Sequence, residues 1–180
     1  TEQIRRFADK ILVDTADDLD GGKEKRKGTI SLLKGPEPSI EKFSKGQDEA
    51  KWIAQKIRKL IESEKIEPAA IAIFARTKNH LEHRIAKALD QQELPYTYLD
   101  DTKERQEGRV NLGTLHRAKG LEYKTVFVCA CEKGVIPYEK DLEKLPDEAA
   151  KEDWLQRERN LLYVAMTRGR DELYVTYAGE

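Results

Sequence analysis

The chain has 180 residues, 38% apolar and 37% charged, a balance that fits one folded domain with a buried core and argues against a fibre or a disordered tail. Lys and Arg number 33 against 34 Asp and Glu, so any basic surface for nucleic acid must be local. No apolar run reaches the length of a membrane span and the opening TEQIRRFADKIL has no signal-peptide core, which makes the cytoplasm the expected location, with no membrane partner.

In chain order, TEQIRRFADKILV sets Ile4, Phe7, Ala8 and Ile11 on one face of a helix. GGKEKRKG reads as a polar break, TISLL as a short strand and GPEP as a turn. QDEAKWIAQKIRKLIESEK repeats Ala50, Ile53, Ile57, Leu60 and Ile61 at helical spacing and is the clearest amphipathic helix. AAIAIFA follows as a strand buried on both faces, NHLEHRIAKALDQ as a helix, and YTYL and RVNLGTL as strands, the latter ending near Leu115. KTVFVCA is the most β-branched of these runs. A polar loop with Pro137 and Pro146 then leads to the helix EDWLQRERNLLYVAMTR, which stops near Gly169 before the strand ELYVTYA. Continuous apolar strands separated by helices predict an α/β fold, a mainly parallel sheet covered on both faces with ligands at its strand ends.

Three patterns suggest chemistry that their context does not support. Cys129 and Cys131 lie two apart in an apolar run, so a strand would point them the same way, and a lone C-x-C reads as buried structural thiols. GRVNLGT has the glycine spacing of a P-loop but lacks the Lys after the second glycine and reads as a strand. His80 and His83 sit three apart beside Glu82 and Arg84, the pattern of a solvent-facing stripe more than a metal pair.

Two stretches remain. TLHRAKGLEYKTVFV crowds Thr114, His116, Arg117, Lys119 and Gly120 before an apolar strand, where cations, backbone amides and a glycine can meet phosphate; alone, it would read as a solvated turn. ERNLLYVAMTRGR turns Leu161, Leu162, Val164 and Ala165 inward and delivers Thr167 and Arg168 at the helix end, from which an arginine can be aimed at a ligand held elsewhere.

Together, VNLGTLHRAKGLEYKTVFV, EKGVIP and ERNLLYVAMTRGRDELYV resemble the motif V region (110–128), the loop after it and motif VI (158–170) of UvrD/Rep-type superfamily 1 DNA helicases. AIAIFARTKNHLEHRIAKAL and LPYTYL resemble an earlier part of the same domain. The resemblance covers nearly the whole chain and implies a single domain over 1–180, the second RecA-like motor domain of a longer protein, with the P-loop-type three-layer fold but no P-loop of its own. The single Met, Met166, also leads us to expect a fragment.

The resemblance further implies ATP and Mg2+ held mainly by an N-terminal RecA-like domain of the same full-length chain, and single-stranded DNA as partner, tracked 3′→5′. It assigns Arg168 as the arginine finger, Gly120 and Glu122 with Arg168 to the nucleotide, Arg76, Lys78, Thr114 and His116 to the strand, and Lys119 with Thr167 to coupling. No metal ligand is expected within the chain. Lys78, Asn160 and Gly169 stand where the family often has Asn, Arg and Ala, and only DDTKERQEG occupies the place of a large helical insertion. A module that kept the fold but lost hydrolysis, or the motor half of a helicase-nuclease, would share the same chain. An intact protein containing the pair of domains would hydrolyse ATP, whereas this domain alone is expected to be inactive.

Overall fold

The computed structural model describes residues 1–12, 33–100 and 106–179. The polar break at 21–28 and all but the last residue of the strand expected at 29–33 lie outside the described residues, and Leu33 itself is in no strand. In chain order the elements are α1 (Glu2–Asp9), β1 (Ser39–Phe43), α2 (Gly46–Glu62), β2 (Ile71–Ala75), α3 (Lys78–His80) running through a π-helical stretch (Leu81–Ala86) into α4 (Lys87–Gln91), β3 (Tyr96–Tyr98), β4 (Val110–Thr114), a 3-10 turn (Leu115–Ala118), β5 (Tyr123–Val128), α5 (Glu139–Leu142), α6 (Glu148–Met166) and β6 (Gly169–Ala178). The six strands form one sheet in the order β1-β6-β5-β2-β4-β3, with every pairing parallel.

Parallel strands need both faces covered, and the sequence supplies two apolar layers. Ile53, Ile57 and Leu60 of α2 pack with Leu81, Ile85 and Leu89 on one face, over Ile73 and Phe127. Ile4 and Ala8 of α1 pack with Ala165 and Met166 of α6 on the other, over Phe74, Val126 and Val128. This is the three-layer α/β architecture expected. Leu161, Leu162 and Val164 lean on the second layer but stay only partly buried.

Three local readings change. β1 was not visible in the sequence because an edge strand pairs on one side only and alternates half-buried Ser39, Glu41 and Phe43 with exposed Ile40 and Lys42. α6 starts at Glu148, earlier than its apolar stripe suggests, because the Asp147 carboxylate caps it by accepting from the Ala150 amide at 2.8 Å. Cys129 and Cys131 do not face the same way: Ala130 adopts φ +55°, which breaks the strand alternation, so Cys129 joins the α2 layer and Cys131 the α6 layer. Burial pushes both thiols up, away from the reactive thiolate.

The P-loop-like glycines serve other ends. Gly113 lies within β4, where a Cβ would come to 3.0 Å from Leu99, so the segment is packed strand and not a phosphate loop. Gly169 opens β6 at an irregularity in its pairing with β5, and a Cβ there would meet the Glu172 carbonyl at 2.9 Å. That contact accounts for glycine at a position where the resembling family often has alanine. Among the described residues no helix is long and apolar enough to cross a membrane.

Candidate functional site

Because all strands run the same way, the sheet has one C-terminal and one N-terminal edge, and the candidate residues divide between them. β2 and β4 are neighbours, with Ala75 aligned to Thr114, so Arg76, Lys78, Thr114 and His116 all emerge from one corner of the C-terminal edge. Lys78 is exposed and pairs with Glu82 one turn on, at 3.1 Å. Thr114 is half-buried at the end of β4, and His116 is exposed on the turn that follows. Desolvation around the His116 ring, then the charge of Arg76, lower its pKa from 6.5, with Glu158 opposing them.

Arg76 is placed differently from its neighbours. Only 8% of the residue is exposed, and its Nε donates to both carboxylate oxygens of Glu158, at 2.8 and 3.1 Å. The guanidinium carbon lies 5.2 Å from the Tyr138 ring centre and 5.8 Å from that of Trp154. Glu158 also accepts from the Tyr138 amide at 3.2 Å. Arg76 thus joins the end of β2 to α6, a commitment that its assignment to the strand did not anticipate.

The chain must then cross the sheet, since the next parallel strand starts at the opposite edge. Residues 115–122 make that crossing along the α6 face, first as the 3-10 turn and then through a second turn at Lys119 and Gly120, over roughly 17 Å of strand length. Lys119 is exposed, Gly120 takes φ +78°, and Glu122 is exposed immediately before β5. The sequence reading set His116, Arg117, Lys119 and Gly120 together beside the strand ends; the structure leaves His116 there and carries Gly120 and Glu122 to the N-terminal edge.

Arg168 is brought to that second edge by α6, which ends at Met166 just before β6 begins. Its backbone carbonyl accepts from the Tyr123 amide at 2.9 Å, tying the starts of β5 and β6 together. Its side chain is half-buried and donates to the carbonyls of Val164 at 3.0 Å and Leu121 at 3.3 Å, and to the Thr167 hydroxyl at 3.4 Å. Thr167 in turn donates to the carbonyls of Tyr163 and Val164, so it closes the helix end and braces the arginine. Among the described residues every partner of this guanidinium is a neutral oxygen, which leaves its charge available to an anion. Gly120, Glu122, Thr167 and Arg168 therefore come together, away from the His116 corner. The model matching residues 1–107 and 100–180 is the UvrD-like helicase C-terminal domain.

The chain belongs to this family. Matching stretches of the UvrD-like domain are 51% identical over 69 residues to the protein YjcD of Bacillus subtilis, covering 37% of this chain and 9% of that protein. They are 40% identical over 82 residues to the ATP-dependent DNA helicase PcrA of the same organism, covering 44% of this chain and 10% of PcrA. The aligned region is thus about a tenth of these longer relatives. The whole fold is similar to the C-terminal domain of a possible DNA helicase from Lactobacillus plantarum WCFS1, with a TM-score of 0.67 and 22% identity over 100% of this chain and 86% of that one.

Among the described residues no group of three or more His, Cys, Asp or Glu could hold a metal ion.

Sequence reasoning missed two buried glutamates. Glu158 sits one helical turn before Leu162 and two before Ala165, on the inward stripe of α6. Glu49 occupies the same kind of position before Ile53 on α2, and its carboxylate meets Arg84 at 2.7 Å, the Ala130 amide at 2.9 Å and the Thr176 hydroxyl at 2.6 Å. A carboxylate in register with an apolar stripe was the available signal in both. On the α2 face a cleft of about 710 Å³ is lined by residues including Gly46, Lys51, His80, His83 and Lys87, with none of the candidate residues in its wall.

Proposed function

We propose that this UvrD-like domain is the second motor domain of an ATP-dependent DNA helicase or translocase. It supplies Arg168 as arginine finger and part of a single-stranded DNA track through Lys78, Thr114 and His116. ATP and Mg2+ bind mainly to the first motor domain of the intact chain, and the N-terminal edge of this sheet closes on the nucleotide. Gly120, in a left-handed turn, lets backbone approach the phosphates. Glu122 lies beside it, and Lys119 and Thr167 couple the two edges.

Arg168 is the observation that carries this reading. A half-buried arginine at the mouth of two parallel strands, held by carbonyls and a hydroxyl and lacking a carboxylate partner among the described residues, is oriented before any ligand arrives. Its charge would stabilise the charge that develops on a transferring γ-phosphoryl group. The relatives named as ATP-dependent DNA helicases support the same reaction class.

The test uses the full-length protein. Arg168→Ala is expected to lower DNA-stimulated ATP hydrolysis by on the order of 10³-fold with affinity for a dT oligonucleotide nearly intact. Equal hydrolysis by the variant and the parent would overturn the assignment.

A further inference from the structure

We infer that Arg76 and Glu158 form a positioning pair through which a strand bound at His116 sets the placement of Arg168. This rests on the motor reading above and goes beyond it, because neither residue need touch strand or nucleotide.

The argument starts from two elements that run side by side across the sheet. The 115–122 crossing begins at the His116 corner and ends at Glu122, and α6 spans the same distance, with Glu158 and the Arg168 that follows the helix roughly 15 Å apart along its axis. They are fastened to each other at the nucleotide end by the Arg168–Leu121 hydrogen bond. At the other end Arg76, leaving β2 beside Thr114, grips Glu158 with one nitrogen on both carboxylate oxygens, between the rings of Tyr138 and Trp154. A helix is stiff along its axis, so a displacement of Glu158 is carried to the Arg168 end.

The pair is also placed to respond to a strand. Both its charges act on His116, Arg76 lowering its proton affinity and Glu158 raising it, so the three groups share one electrostatic neighbourhood. A phosphate arriving at His116 attracts Arg76 and repels Glu158, and in surroundings that are 8% and 3% exposed this is poorly screened. The two effects pull the ends of one ion pair in opposite directions, which is a push on α6.

A double-mutant cycle in the full-length protein tests this, reading the ratio of dT-stimulated to unstimulated ATP hydrolysis and, separately, affinity for a dT oligonucleotide. Glu158→Gln keeps the shape and removes the charge; it is expected to lower the stimulation ratio about tenfold, with oligonucleotide affinity within about twofold of the parent. Combining it with His116→Ala is expected to lower the ratio no further than the more severe single change. Multiplying effects, or a Glu158→Gln protein that only melts earlier and keeps its stimulation, overturn the inference. If Glu158→Gln melts below the assay temperature, Arg76→Lys, which leaves the carboxylate paired, carries the same cycle. Arg76→Gln is expected to leave the salt dependence of oligonucleotide affinity unchanged, and a log–log slope shallower by about 0.7 would mark a direct phosphate contact and overturn the indirect role. An unsubstituted protein without DNA-stimulated hydrolysis overturns the motor reading and this inference with it, whereas multiplying effects in an active protein overturn the inference alone.

Discussion

The guanidinium of Arg168 donates to the backbone carbonyl of Leu121 at 3.3 Å, joining the end of α6 to the last residues of the crossing before β5. Two segments well separated in sequence therefore present Gly120, Glu122 and Arg168 as one surface. The bond is to a neutral carbonyl and the side chain is only half-buried, so it orients more than it stabilises. Arg168→Ala in the 180-residue domain is expected to move the melting temperature by no more than about 4 °C, because its three hydrogen bonds, to Val164, Leu121 and Thr167, are partly exposed and together worth about 1 kcal/mol. A thermal melt by circular dichroism checks this, and the unsubstituted domain, intact and cooperative, is expected to show no ATP turnover; turnover that Arg168→Ala abolishes would overturn the half-site reading.

His116 gives a prediction with a sign. Its pKa is lowered from 6.5 by desolvation and by Arg76, so well above pH 6.5 the ring is neutral in folded and unfolded chains alike and contributes no pH dependence to stability. Between 6.5 and the lower folded value the unfolded chain binds more protons, and acidification through that window destabilises the fold. A phosphate at the ring favours the imidazolium, so affinity of the full-length protein for a dT oligonucleotide is expected to rise as pH falls from about 7.5 to about 5.5. His116→Gln is expected to flatten that rise. Titrations in which the variant retains the full pH dependence would remove His116 from the strand contact.

Gly120 stands at φ +78° with no atom within 4 Å of where a Cβ would go. Space is not its constraint; backbone conformation is. Gly120→Ala is expected to cost about 1–2 kcal/mol from the left-handed strain alone, read by denaturant unfolding of the domain. A neutral substitution would show that the turn relaxes to another conformation.

Glu49 is fully buried, with Arg84, the Ala130 amide and the Thr176 hydroxyl around one carboxylate, and it links α2, the π-helical stretch and the ends of β5 and β6. Arg84 also reaches Glu132 at 2.8 Å. Glu49→Ala leaves the arginine short of a partner and two buried donors unsatisfied, with an expected loss of about 3–5 kcal/mol and a fall in melting temperature on the order of 10 °C. Because none of the candidate residues is touched, any surviving full-length protein is expected to keep the affinity of its parent for a dT oligonucleotide below the melt.

How far these relationships could be read in advance depended on the range of the interactions that make them. Ile53, Ile57 and Leu60 repeat at helical spacing and IAIFA is continuously apolar, so α2 and the doubly covered β2 follow from local pattern, and with them the layered parallel fold. The two motif stretches are likewise local, and it was their resemblance to a known family, not their spacing alone, that made Thr114, His116, Gly120 and Arg168 candidates. Edge strand β1 was silent because its pairing with β6 reaches across most of the chain. The division of the candidates between two edges was silent too, because a sequence states which residues follow a strand but not that the next strand begins at the far side of the sheet. Arg76 shows the limit most directly: the sequence presents a cation after a strand, free to meet phosphate, and only the fold brings Glu158 to 2.8 Å from it. A buried charge must be paired, and which residue pairs it is decided by the packing of α6 onto the sheet.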